Sequence, residues 1–138
     1  MAENIESLEQ KRAEFAYNCA NIEERKKDSK YSKYVKNIPM LIKTNGLGAT
    51  VAFIYCKSKK EGAYGWIYYD LYEWLKKTGH LKETKLVEIL VKNFNSPEYK
   101  AITIEVLAFL KWLKRFAEAF APDDKNNKGK KDVSQSAG

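Results

Sequence analysis

Hydrophobic positions in this chain recur mostly every three or four residues, which is the spacing of an α-helix. The first such segment covers residues 3–27. One stripe along it contains five apolar residues and a single arginine, namely Ile5, Leu8, Arg12, Phe15, Cys19 and Ile22. We therefore predict a long first helix over residues 3–27, with Arg12 in an otherwise apolar seam.

A second helix is predicted to begin at Tyr31, because apolar side chains follow there at helical spacing. Pro39 interrupts this pattern, either as a kink or as the first turn of a new helix. Asn45-Gly46 is a common helix stop, with glycine in the left-handed conformation. A phosphate-binding loop would need a Gly-Lys-Ser/Thr ending, which does not follow Gly48. The two glycines therefore indicate a tight joint between helices.

The run "ATVAFIYC", residues 49–56, is too short for periodicity to separate a buried strand from a helix. A strand would need a partner, and the only candidate is "YGWIYYDLY", residues 64–72. That stretch has helical spacing instead. We therefore predict a central helix over residues 47–59, apolar on most faces, and keep a hairpin as the alternative.

The C-terminal half predicts two further helices. One covers about residues 82–94, and the other runs from Pro97 to about Ala121, with Ser96 as its N-cap. The first half of this last helix is apolar on its back as well, at Ile104 and Leu107, which predicts that it is enclosed. The sum is an all-α fold: a compact single domain of five to seven helices over residues 1–121. Residues 122–138 are predicted to be a disordered polar tail with a small basic excess.

Charge is unevenly distributed along the 138 residues, whose net charge is +7. Residues 1–24 contain six acidic and two basic residues, whereas residues 25–60 contain ten basic residues and one acidic residue. A local basic block indicates a polyanionic partner, usually nucleic acid, although a solvated lysine-rich face has the same composition. The predicted phosphate contacts come from this block and from the last helix: Lys36, Lys43, Lys57, Lys59, Lys60, Lys111, Lys114 and Arg115.

Residues typical of catalysis are sparse. The single histidine, His80, lies in a predicted helix connection, and Asp70 is isolated in an aromatic segment. Cys19 and Cys56 are far apart among apolar neighbours, which favours buried free thiols in a reducing cytoplasm. We therefore expect a cytoplasmic protein that is not an enzyme and has no catalytic residue, cofactor or metal site. Because the N-terminus is polar, we expect no secretion signal, and because no long apolar run occurs, we expect no membrane span.

Arg12 has two interpretations. A buried guanidinium needs a carboxylate partner, and Glu105, beside the apolar stripe of the last helix, is the candidate for a structural ion pair. Alternatively, Arg12 contacts RNA phosphate through a gap in the surface. Aromatic residues are ambiguous in the same way, since Trp66, Trp74 and Trp112 fit a core, base stacking or, where exposed, subunit contacts.

The ordered set of motifs resembles the small α-helical subunit of the type III-B CRISPR Cmr effector complex. The resemblance covers about residues 8–120, except for the connection at residues 76–95. No single motif in it is diagnostic. The matching positions are Arg12-Ala13, Pro39, Asn45-Gly46-Leu47-Gly48, Ala52-Phe53, Tyr99, Thr103, Glu105 and Trp112-Leu113-Lys114-Arg115-Phe116-Ala117.

The resemblance implies a non-catalytic scaffold. Such subunits stack beside the guide-bound backbone subunits, next to neighbouring small subunits and the large subunit, and line the channel that holds the guide RNA–target RNA duplex. One alternative is an autonomous DNA-binding regulator of helix-turn-helix type around residues 40–58, although its recognition helix would be unusually apolar. Another is an interaction adaptor that touches no nucleic acid.

Overall fold

The computed structural model describes residues 7–81, 85–92 and 96–122, and within these ranges it contains seven α-helices and no strand. The helices are α1 (Leu8–Ala20), α2 (Glu23–Lys27), α3 (Tyr31–Asn45), α4 (Leu47–Lys57), α5 (Gly62–Lys77), α6 (Leu86–Lys92) and α7 (Pro97–Phe120). The all-α prediction is confirmed. Residues 3–6 of the predicted first helix and residues 123–138 of the predicted tail lie outside the described residues.

The prediction of one helix over residues 3–27 is wrong. Ser7 caps α1 by accepting the Gln10 N–H, and α1 ends at Ala20. Ile22 is extended, with φ −120° and ψ 131°, and α2 begins at Glu23. The Arg25 side chain donates to the Cys19 carbonyl at 2.9 Å, so a side chain from α2 satisfies a carbonyl that a continuing helix would have used.

Residues 31–57 form two helices joined at Gly46. Pro39 lies inside α3, so the helix is continuous and does not restart there. Gly46 has φ 90° and ψ 159°: its positive φ was predicted, but its ψ is extended and lies outside the left-handed helical region. This combination is accessible essentially to glycine alone. The hairpin alternative for residues 47–59 is wrong, because α4 is helical.

The core is built around α5 and α7, against which α1, α3 and α4 pack. Its largest fully buried side chains include Trp74, Ile67 and Leu71 from α5 and Phe109 from α7. Ser96 accepts the Tyr99 N–H at the start of α7, and Pro97 occupies the first turn, as predicted.

Two predictions of burial are wrong. Helix α4 does not have the central position predicted for it, because Phe53 is 39% exposed and Cys56 is exposed, so only one side of its apolar surface is buried. The back of α7 is not enclosed either, since Ile104 is 68% exposed. In both helices the hydrophobic residues extend past the buried stripe, and tertiary packing covers one side only.

Candidate nucleic-acid interface

A groove of about 410 Å³ runs between α3 and α7. Tyr99, in the first turn of α7, contacts Gly48 just beyond the end of α3, so the two helices run in opposite directions. Residues from both helices line the groove, and most are basic: Pro39, Lys43, Leu107, Lys111, Lys114, Arg115 and Glu118. The groove therefore brings basic side chains from distant parts of the sequence together.

The three lysines that line the groove reach it because each follows a buried residue along its helix. Lys43 comes directly after buried Ile42, and Lys111 and Lys114 come directly after buried Leu110 and Leu113. One position along a helix corresponds to a rotation of about 100°. Each apolar neighbour is thus in the core, while the lysine is turned to the margin where α3 and α7 meet.

Of the eight predicted phosphate contacts, four line the groove, namely Lys43, Lys111, Lys114 and Arg115. Lys36 is exposed and lies seven residues before Lys43, which places it on the same face of α3 and about 10 Å along the helix axis. Lys36 therefore extends the line of cations on the α3 side. We call these five residues the groove cations.

The other three predicted contacts do not reach the groove. Lys57, Lys59 and Lys60 precede Glu61, whose carboxylate accepts from the Tyr34 hydroxyl at 2.8 Å. Tyr34 and Lys43 are nine residues apart on α3 and therefore point to opposite sides of that helix. The cluster of Lys57, Lys59 and Lys60 thus lies on the side of α3 away from the groove.

The groove cations carry uncompensated charge. Within the part of the chain that the structure describes, none of the five has a carboxylate oxygen within 4 Å. Glu118 lines the groove without forming such a pair, and the Arg115 guanidinium lies 5.7 Å from the centre of the Trp112 ring. Their positive potential is therefore available to an anionic partner.

Arg12 is held by two carboxylates and does not project freely from the surface. Its Nε and a terminal nitrogen donate to the two oxygens of Glu105 at 2.6 and 2.9 Å, and Glu9 accepts a third bond at 2.7 Å. Trp74 Nε1 also donates to Glu105, at 2.8 Å. This geometry joins α1, α5 and α7 and favours the structural interpretation of Arg12 over phosphate binding.

The pair shifts the titration of both groups. Burial raises the pKa of the Glu105 carboxyl, but the hydrogen bonds from Arg12 and Trp74 outweigh burial and hold the pKa below its usual value. The hydrogen bond to Glu105 raises the pKa of Arg12. Both shifts favour the charged forms, so the pair is ionic across neutral pH.

A second buried ion pair was missed by the sequence analysis. Both terminal nitrogens of Arg25 donate to Asp70, and the Arg25 guanidinium lies 5.7 Å from the Trp66 ring centre. Burial raises the pKa of the Asp70 carboxyl, while Arg25 acts in the opposite direction. Asp70 is therefore not isolated, and Arg25 is removed from the exposed basic block. No local pattern signals this contact, because the residues are 45 positions apart.

The cysteines and tryptophans divide between core and surface. Cys19 is buried, as predicted, and burial raises the pKa of its thiol, whereas Cys56 is exposed, so the prediction of two buried thiols is wrong. Trp74 belongs to the hydrophobic core, while Trp66 and Trp112 are partly buried and pack against that core.

Two surveys of the described ranges bear on function. Among those residues no group of three or more His, Cys, Asp or Glu side chains is arranged to hold a metal ion. None of the helices described is both long and apolar enough to cross a membrane.

A comparison with protein-family models matches residues 8–120 to the family described as CRISPR-associated protein (Cas_Cmr5). The match covers most of the chain and includes all seven helices, the groove and the Arg12–Glu105 pair. The chain belongs to the Cas_Cmr5 family. As a Cas_Cmr5 protein it is a small subunit of a type III-B CRISPR complex and associates with other subunits of such a complex. The resemblance seen in the sequence is confirmed.

The motif positions fall at structural joints of the Cas_Cmr5 fold. Asn45-Gly46-Leu47-Gly48 forms the α3–α4 joint, whose Gly48 N–H donates to the Tyr99 hydroxyl at 2.8 Å. The Arg-Ala pair contributes Arg12 to the ion pair with Glu105. The closing motif contributes Lys114 and Arg115 to the groove. The motifs therefore mark both the joints of the fold and part of the candidate interface.

Proposed function

We propose that this protein is a non-catalytic small subunit that supports the guide RNA–target RNA duplex through the groove between α3 and α7. It does so beside guide-bound backbone subunits, next to neighbouring small subunits and the large subunit, in antiviral RNA silencing in the cytoplasm. The observation that carries the proposal is the line of five groove cations with no described carboxylate within 4 Å.

The chemistry of the groove suits a partner of arbitrary sequence. Lysine and arginine bind phosphate oxygens without reading base edges, as a subunit that serves any guide requires. Half-buried Arg12 and buried Arg25 are engaged by carboxylates. Binding would therefore fall to the groove cations, and the protein would act by position and charge alone.

The test uses the complete complex, reconstituted with guide RNA and either wild-type small subunit or a variant with Lys111→Gln, Lys114→Gln and Arg115→Gln. Affinity for target RNA is measured over a range of salt concentrations. Removing one lysine–phosphate or arginine–phosphate interaction should reduce the slope of log K against log salt by about 0.7–0.9. Because the variant removes three cations, we expect a reduction of up to about 2–3 for each copy of the subunit that contacts the RNA.

The matched control is the variant Lys57→Gln, Lys59→Gln and Lys60→Gln, which removes the same charge on the opposite side of α3. It should retain the wild-type slope. An unchanged slope in the groove variant, or an equal loss in the control, would rule out the groove as the RNA contact. If the isolated protein binds double-stranded DNA as tightly as it binds the guide RNA–target RNA duplex, the DNA-binding alternative is favoured. If the complex assembles but this subunit contributes nothing to its affinity for RNA, the interpretation as an interaction adaptor is favoured.

A further inference from the structure

A second cleft, of about 540 Å³, lies between α1 and the C-terminal end of α5. It is separate from the groove, because α1 packs on the stripe of α7 that contains Glu105 and Phe109. Phe109 and Lys111 are two residues apart and therefore about 200° apart around α7. Nothing in the proposed RNA contact uses this cleft.

The floor of the cleft is apolar and rigid. Phe15 and Trp74 pack with ring centroids 5.1 Å apart, and the Trp74 indole N–H is fixed by its bond to Glu105. Leu8, at the start of α1, lines the same cleft and is 46% exposed. An aromatic or other flat apolar group placed here would bury its surface against side chains that are already positioned.

The rim of the cleft is cationic on both sides. Lys11 lies on the α1 side, while Lys77 and His80 lie at and just beyond the end of α5. In the portion of the chain described, neither lysine has a carboxylate oxygen within 4 Å. An anionic group is thus attracted to the rim without displacing an existing partner.

The α1 wall also presents hydrogen-bond acceptors. Glu14 and Asn18 line the cleft, and an ionised carboxylate accepts hydrogen bonds at both oxygens. Glu14 disfavours a ligand that is anionic throughout, such as a carboxylate-rich peptide. The combination of cations, an apolar floor and an acceptor suits a ligand with one anionic group, one flat ring and N–H donors on that ring.

We propose that this cleft binds a nucleoside monophosphate unit, with its phosphate at Lys11, Lys77 and His80 and its base over Phe15. The N–H groups of the base face Glu14. The unit comes either from a free nucleotide or from an unpaired nucleotide of an RNA strand. This site is independent of the groove and of the duplex contact proposed there.

The experiment is a nuclear magnetic resonance titration of the full-length protein. His80 is the only histidine in the sequence, so its ring signals report on this cleft alone. The titrants are GMP, AMP, guanosine, inorganic phosphate, a short single-stranded RNA and an acidic peptide that contains phenylalanine. We expect saturable shifts of the His80 signals with the nucleotides, at concentrations about tenfold lower than with phosphate or guanosine.

Variants at the rim provide the second readout. Lys11→Gln and Lys77→Gln should each weaken nucleotide binding by about three- to fivefold, whereas Lys59→Gln, at an exposed lysine that lines neither the cleft nor the groove, should leave it unchanged. Saturation by GMP points to a free nucleotide, and tighter saturation by the RNA points to an unpaired strand nucleotide; both support the proposal. Absence of His80 shifts at millimolar nucleotide, equal effects of inorganic phosphate, or tighter binding of the peptide would overturn it.

Discussion

On one side of α7 the Glu105 carboxylate is 4% exposed and accepts hydrogen bonds from Arg12 and Trp74. On the side that lines the groove with α3, Lys111, Lys114 and Arg115 are without a carboxylate within 4 Å among the residues described. A buried charge must be paired, because desolvation is costly, whereas a solvated charge left unpaired keeps its field for a partner. One helix thus carries a buried, paired charge on one side and solvated, unpaired charges on another, and substitutions at the two places should have different consequences.

The largest effect on stability is expected from Glu105→Leu. This change leaves the Arg12 guanidinium, whose side chain is 13% exposed, without its main partner, and it removes the acceptor of the Trp74 N–H. The free energy of unfolding, measured with urea, should fall by about 3–5 kcal/mol. The double variant Arg12→Leu with Glu105→Leu should recover part of that loss, since it removes a half-buried charge whose remaining described carboxylate partner is the exposed Glu9. We call the side of α7 that contains Glu105 the closed face, and a loss below about 1 kcal/mol in the single variant would contradict its description as a buried, paired charge.

Acid should weaken the closed face through Glu105. Because its pKa is lower in the folded protein than in the unfolded chain, ionised Glu105 stabilises the fold above the unfolded value near 4.5, and this stabilisation is lost as the pH falls through the folded value. Glu105→Gln, which costs about 1–3 kcal/mol at pH 7, should therefore differ less from wild type as the pH falls below 4.5. Urea titrations at several pH values measure this difference, and a constant gap would exclude Glu105 as its source.

Glu9 allows a finer comparison on the same face. Its carboxylate bonds both Arg12 and Trp112, but its side chain is 52% exposed. Glu9→Gln should lower the free energy of unfolding by only about 0.2–1 kcal/mol, because solvent screens an exposed ion pair. If Glu9→Gln lowers the free energy of unfolding as much as Glu105→Gln does, then the number of hydrogen-bond donors to a carboxylate, and not its burial, determines its contribution to stability. The measurement is the same urea titration at neutral pH.

The smallest effect on stability is expected on the side of α7 that lines the groove. The variant with Lys111→Gln, Lys114→Gln and Arg115→Gln should unfold within about 0.5 kcal/mol of wild type, because these side chains have no described ion pair to lose. Thermal and urea unfolding of the isolated protein both measure this. A large destabilisation would show that the groove cations contribute to the fold, and the division between the two faces would fail.

Strong helical periodicity predicted most of the fold. Tyr31, Ser96 and Pro97 mark helix starts in the structure as they do in the sequence, and Gly46 marks the joint. The break after Ala20 was not predictable from local pattern, because no glycine or proline stands there and the Cys19 carbonyl is satisfied by Arg25 from beyond the break. A side chain six residues beyond Cys19 therefore takes the place of the helical hydrogen bond at that boundary.

The candidate sites divide in a similar way. A charge inside an apolar stripe, Arg12, pointed to a buried partner because its cost is visible from periodicity alone. Arg25 gave no such signal, since it lies in a charged run that also fits a surface, and Asp70, alone in an aromatic segment, had no partner that the sequence could identify. The groove required the three-dimensional structure, because rotation about α3 decides that Lys43 faces α7 while Tyr34 faces Glu61.

The hydrogen bond between the Gly48 N–H and the Tyr99 hydroxyl links two residues 51 positions apart. Helix α4 has no side-chain cap of its own, so its first turn is completed by a residue made much later in translation. A ribosome-bound chain that ends before Tyr99 has the whole of α4 in its sequence but lacks this closing bond. In pulse-labelled hydrogen exchange, protection of the Gly48 amide should therefore arise only once the final helix has docked.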